Sequence, residues 1–244
     1  MSKSKCAIIG INSNLGTELA RNLSSQNYII GTTRKKSNFK KVFEGNNIIY
    51  KNFTCDLTNS KDVNSIKNQL INENIDSLVC IAGSYLEETS SYFISDELQS
   101  DIMQSHSLSY GFIVDEVFKV LNNVAVVYIS STSVYWKGSR NIFYSAAKNH
   151  AEHLLLSIAK KYLESNNRLN IVRLSTMEKP FSNNLTKFSD EDFKKRVSLL
   201  PQKKAITFKE ASDLISFLIS NSSNALNGNI LSLDRGESIN RLCS

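Results

Sequence analysis

Short apolar runs rich in valine and isoleucine punctuate the chain: CAII (6–9), YIIG (28–31), IIYKNF (48–53), SLVCI (77–81), VAVVYI (124–129), LNIVRL (169–174) and NILSL (229–233). Stretches of helical period lie between most of them. Leu15, Leu19 and Leu23 follow the first run, and Val63, Ile66, Leu70 and Ile71 the third. Leu154, Leu155, Ile158 and Tyr162 precede the sixth run, and Leu214, Phe217 and Leu218 precede the last. A strand that is apolar at every position is buried on both faces, and its neighbours must be reached by crossover helices. The pattern therefore predicts an α/β fold: one doubly wound domain over 1–244, with a seven-stranded parallel sheet and about six helices on its two faces.

Bulk properties narrow the function. Hydrophobic residues make up 41% and charged residues 21%, ordinary values for a soluble domain. No run approaches the length of a membrane span, and the apolar stretch after the first lysines is too short for a signal peptide. We expect a cytoplasmic protein without a membrane partner. The net charge of +6 is spread along the chain without an aromatic-interleaved motif, so no nucleic acid is expected either. Cys6, Cys55, Cys80 and Cys243 have no C-x-x-C spacing and read as free thiols. His150 and His153 stand at i, i+3 but lack an obvious third ligand, so no metal is expected. RKKSNFKK (34–41) and the segment 178–204 concentrate basic charge, the latter carrying +3 and containing both prolines of the chain, Pro180 and Pro201. The polar stretch 178–208 reads either as a substrate lid or as a surface loop.

The first run leads into GINSNLG (10–16) and then a helix. Gly10 suits the tight turn, Gly16 suits close packing of helix on sheet, and the helix N-terminus offers N–H groups to a pyrophosphate. Ser13 and Asn14 stand where many dinucleotide loops carry glycine; their side chains either bond phosphate or cap the helix. Beyond the second run no acid occurs between Glu18 and Glu44, and Arg34 occupies the place of a ribose-binding carboxylate, followed by Lys35 and Lys36. A guanidinium matches a 2′-phosphate, which favours NADP(H) over NAD(H). The other reading is a solvated charge run.

The segment ISSTSVYWKGSRNIFYSAAK places Tyr144 thirteen residues after Ser131 and four before Lys148. On a helix the tyrosine and lysine project from one face, one turn apart. Together with the glycine turn, CDLT at Asp56 and IAG at 81–83, this ordered set resembles the short-chain dehydrogenase/reductase family over nearly the whole chain. The resemblance implies a Rossmann fold and an NADP-dependent exchange between a carbonyl and a secondary alcohol. Tyr144 would be the general acid or base. Lys148 would favour its phenolate form and bond the nicotinamide ribose, and Ser131 would donate to the substrate oxygen. Asp56, with Leu57, would hold the adenine end. Leu15, Ala82 and Gly83 would line the cofactor alongside Gly10, Ser13, Asn14 and Gly16.

Departures from the family pattern are equally specific. Ser107, with His106 beside it, stands where members often carry a relay asparagine, and either residue reads as a relay or as packing. Leu174-Ser175 replaces a proline–glycine pair, leaving Ser175, Thr176 or Lys179 to meet the carboxamide. SSTSVYW (130–136) is similar to a stretch of the nucleotide-sugar epimerase and dehydratase branch, which admits a sugar-derived or phosphorylated substrate. Two rivals to a reductase follow: a nucleotide-sugar epimerase or dehydratase that retains its cofactor, and a non-catalytic nucleotide sensor. The family implies a homodimer or homotetramer, for which Leu108, Phe112, Leu154 and Leu155 supply apolar surface.

Overall fold

The computed structural model describes residues 3–34, 49–83, 94–135, 142–179 and 189–242. Seven parallel strands form one sheet: β1 (Ser4–Ile9), β2 (Asn27–Thr33), β3 (Ile49–Thr54), β4 (Ser77–Cys80), β5 (Ala125–Ser131), β6 (Arg168–Leu174) and β7 (Ile230–Leu233). Their order is β3-β2-β1-β4-β5-β6-β7. Each strand lies within two residues of its apolar run at either end. The helices are α1 (Asn14–Leu23), α2 (Ser60–Asn72), α3 (Asp96–Met103), α4 (Ser109–Val120), α5 (Ile142–Lys161), α6 (Asp190–Ser198), α7 (Phe208–Ile219) and α8 (Glu237–Leu242).

The five central strands are buried on both faces, as their apolar runs require, while the edge strands β3 and β7 stay partly exposed. On one side Ile9, Leu78, Val126, Tyr128 and Ile171 pack beneath α2, α4 and α5. On the other, Ile8, Ile29, Val79, Val127 and Val172 pack beneath α1 and α7. Cys6, Cys55 and Cys80 are buried free thiols. Burial pushes Cys6 and Cys55 up to about 12, so both are inert at neutral pH. Cys243 lies outside the described residues.

The order reverses between β1 and β4, because β2 follows β1 to one side while β4 returns to the other. Strand carboxyl ends diverge at such a point and leave a crevice. Here the crevice is knitted together by backbone: the N–H groups of Ile81 and Ala82 both donate to Ile9 O at 3.0 Å, and Ile11 N donates to Thr32 O at 3.2 Å.

Within 178–208 the structure forms α6, none of whose residues is buried. Ser189 caps it, its first turn carries Asp190, Glu191 and Asp192, and its last turn carries Lys195 and Arg196. Those charges match the helix dipole at both ends, which stabilises a helix that has little packing to hold it. Lys179 reaches across to pair with Asp190 and lies 5.4 Å from the Phe193 ring centroid.

Candidate active site

The glycine turn shapes the crevice first. Gly10 has φ of +96°, and a Cβ there would fall 2.7 Å from Ala82 N. Only glycine meets both conditions. A Cβ on Gly16 would fall 2.4 Å from Gly10 O, so α1 starts in direct contact with the turn. Of the two sequence readings of Ser13, the structure takes the cap. Its Oγ accepts from Gly16 N at 3.0 Å and donates to Gly10 O at 2.8 Å. Asn14 and Leu15 then open the helix, Asn14 part-exposed and Leu15 buried. Asn12, which sequence reasoning passed over, has its Oδ1 buried without a partner among the described residues.

Further along the same sheet edge, Arg34 is exposed at the end of β2. Lys35 and Lys36 lie outside the described residues. Asp56 closes a turn after β3: its Oδ1 accepts from Thr58 N at 3.0 Å and from Thr58 Oγ1 at 2.9 Å. Leu57 is buried, and its carbonyl accepts from Ser109 Oγ at 2.6 Å. Ala82 and Gly83 follow β4, and the buried Tyr110 hydroxyl donates to Ala82 O at 2.7 Å. A dinucleotide fits this set: a glycine cradle that side chains would fill, a helix N-terminus, and an unsatisfied amide oxygen on Asn12.

Lys148, with Tyr144 one turn before it, meets the end of β5, the strand that carries Ser131. Lys148 is 3% exposed, and its ammonium donates to Ile129 O at 2.6 Å. That carbonyl lies two residues before Ser131. The same Nζ is 4.6 Å from the Tyr128 ring centroid and 5.8 Å from that of Tyr144. Burial lowers the lysine to about 7, against the opposing pull of Cys80 and Glu152. Ser131 Oγ accepts from Ser133 N at 3.1 Å, which leaves its own proton to donate. That bond opens the 3₁₀ turn Thr132–Tyr135.

Ser107 lies on a neighbouring turn. It is fully buried on a π-helical turn, Gln104–Leu108, and its Oγ lies 2.6 Å from His150 Nδ1. The bond fastens the π turn to α5 two residues past Lys148. His106, on the same turn, meets Tyr144 edge-to-face with ring centroids 5.0 Å apart. Ser175 spends its hydroxyl on the buried Glu237, 2.6 Å away, which also accepts from Thr132 Oγ1 at 3.1 Å. Of the three residues considered for the loop after β6, Ser175 and Lys179 are thus already engaged. The described residues contain no cluster of three or more His, Cys, Asp or Glu able to hold a metal.

A network absent from the sequence reading lies directly behind the site. Glu152 stands one turn beyond Lys148 on α5 and is 3% exposed. It accepts from Arg173 Nε at 2.9 Å, Arg173 Nη2 at 2.5 Å and Ser130 Oγ at 2.5 Å. The guanidinium in turn stacks 4.4 Å from the Tyr135 ring centroid. A two-point fork of this kind fixes both partners in orientation. It therefore ties α5, β5, β6 and the turn after Ser131 into one rigid unit.

The comparisons with known proteins follow this geometry. The family model described as enoyl-(acyl carrier protein) reductase matches residues 10–238. No curated protein matches the chain. Among solved structures, a short chain dehydrogenase family protein from Francisella tularensis subsp. tularensis SCHU S4 is 17% identical with a TM-score of 0.83, covering 98% of this chain and 100% of that one. Levodione reductase is 16% identical at TM-score 0.86, over 97% and 98% of the two chains. A variant of ElxO with NADPH bound is 21% identical at TM-score 0.84, over 98% and 100%.

Proposed function

Because the chain belongs to the short-chain dehydrogenase/reductase family of oxidoreductases, we propose that it interconverts a carbonyl and a secondary alcohol with NADP(H), using Tyr144, Lys148 and Ser131. The observation that carries this is the buried Lys148 ammonium, bonded to Ile129 O beside Ser131 and 5.8 Å from the Tyr144 ring.

The nicotinamide, when bound, supplies or accepts the hydride. The protein's part is the proton. In reduction Tyr144 Oη gives its proton to the substrate oxygen, and in oxidation the phenolate takes it back. A phenol near pKa ~10 needs a nearby cation to do this at neutral pH. Lys148 in its protonated form is that cation, and its burial removes the water that would screen it. Ser131 donates to the same oxygen and stabilises charge developing there. Ser107, paired with His150, takes the place of the relay asparagine.

Arg34 supports NADP(H) over NAD(H), since no acid between Glu18 and Glu44 is there to meet a ribose 2′-hydroxyl. The close backbone approach at Gly10 and Gly16, which leaves no room for a Cβ, supports cofactor binding at the β1/β4 crevice. The substrate is a small carbonyl or alcohol, with a sugar-derived or phosphorylated one compatible with the basic 178–208 segment. A homodimer or homotetramer is supported by Leu108, which ends the π turn before α4, and Phe112 on α4, which are 43% and 40% exposed. Leu155 does not contribute to that face, because it lies fully buried in the core. Among the described residues no helix is long and apolar enough to cross a membrane, which is compatible with a cytoplasmic protein.

Calorimetric titration with NADPH and NADH, followed by NADPH oxidation across a panel of aldehydes and ketones, tests the reading. Tighter NADPH binding and turnover on at least one carbonyl are expected. Binding of neither nucleotide would overturn it.

A further inference from the structure

We propose that His106 is a positioning residue for Tyr144, its imidazole setting the angle at which the phenol faces the substrate. Four observations place it. The two rings meet at 88° with centroids 5.0 Å apart, the edge-to-face geometry that aromatic quadrupoles favour. His106 is 3% exposed, so the contact is sealed from solvent. Its backbone is pinned, because the buried Tyr128 hydroxyl donates to His106 O at 2.6 Å. Its ring lies so close to Gly83 that a Cβ there would fall 2.0 Å from His106 Cε1.

These contacts make a wedge. One side of the imidazole abuts the backbone that lines the crevice, and the other meets Tyr144. The π turn Gln104–Leu108 aims the side chain inward by adding a residue to the helix between α3 and α4. The helix is clamped on both sides of the turn's inner face, at His106 by Tyr128 and at Ser107 by His150. A ring held this firmly can hold another. Small displacements of a proton donor cost large factors in rate, so the wedge matters to turnover more than to binding.

The proposal rests on Tyr144 as the proton-handling group, and its test separates the two. Fluorotyrosine NMR, with the Tyr144 resonance assigned by Tyr144→Phe, reads the ring contact without any substrate. Phenanthrenequinone-dependent NADPH oxidation reads turnover, and thermal melting monitors folding. His106→Ala is expected to shift the Tyr144 resonance and to lower kcat by about ten- to a hundredfold, with the NADPH Kd changed by less than about twofold. His106→Phe, which keeps a ring in place, is expected to restore the resonance and bring kcat within about threefold of the parent. An unmoved Tyr144 resonance in folded His106→Ala would overturn the proposal. So would rescue of kcat by His106→Gln but not by His106→Phe, which would mark a hydrogen-bonding role instead. If the parent protein oxidises no NADPH while the resonance still shifts, the catalytic reading fails and the ring contact stands.

Discussion

Lys148 and Tyr144 lie one turn apart on α5, with the lysine Nζ 5.8 Å from the tyrosine ring centroid and bonded to the backbone of β5 at Ile129. The helix brings the pair together, and the strand fixes where it points. Burial of the lysine has a measurable cost.

That cost predicts a pH signature. Burial holds Lys148 at about 7, below the usual 10.5. Between those values the unfolded chain carries the Lys148 proton and the folded chain has released it, so stability rises with pH. Below about 7 both states are charged and the burial cost is present in full. Above 10.5 both are neutral and the cost is gone. The cofactor-free protein should therefore gain up to ~1.4 kcal/mol per pH unit across the window relative to Lys148→Met. Urea denaturation of both proteins at stepped pH checks this; parallel stability curves would contradict it.

Arg173, partly exposed, pairs with the buried Glu152, and its loss leaves that carboxylate stranded. Arg173→Met should destabilise the fold by about 3–5 kcal/mol, and the double change Glu152→Leu with Arg173→Met should recover most of the loss. Denaturant midpoints of the three variants give the answer. A double variant no more stable than Arg173→Met would show that the pair holds the fold by more than mutual neutralisation.

Arg34 should govern the choice of nucleotide. Arg34→Glu is expected to weaken NADPH binding by about ten- to a hundredfold and to leave NADH binding level or stronger, since it exchanges a phosphate partner for a ribose partner. Calorimetry with each nucleotide measures it. Equal weakening of both would place the arginine outside the 2′-phosphate site.

The sheet was legible because its five central strands are apolar on both faces. The Tyr144–Lys148 pair was legible because one helical turn is a fixed spacing. Local chemistry was half legible: Ser13 reads as a cap or a phosphate ligand, and the structure adds the cap bond from Gly16 N. Long-range pairs were not legible. Glu152 looks like any helix glutamate until β6 brings Arg173 under it from 21 residues away. His106 meets Tyr144 only because a π turn rotates it inward, and one extra residue in a helical turn leaves no mark on the hydrophobic period. Leu155 showed the opposite failure: an apolar residue beside Leu154 looked equally fit for an interface, but it points into the core.

The proton step of Tyr144 is tested most directly by removing its hydroxyl alone. Tyr144→Phe keeps the ring and its contact with His106. It should bind NADPH with a Kd within about twofold of the parent while carbonyl-dependent NADPH oxidation falls by about a thousandfold or more. Turnover by Tyr144→Phe at the parent's rate would contradict the account.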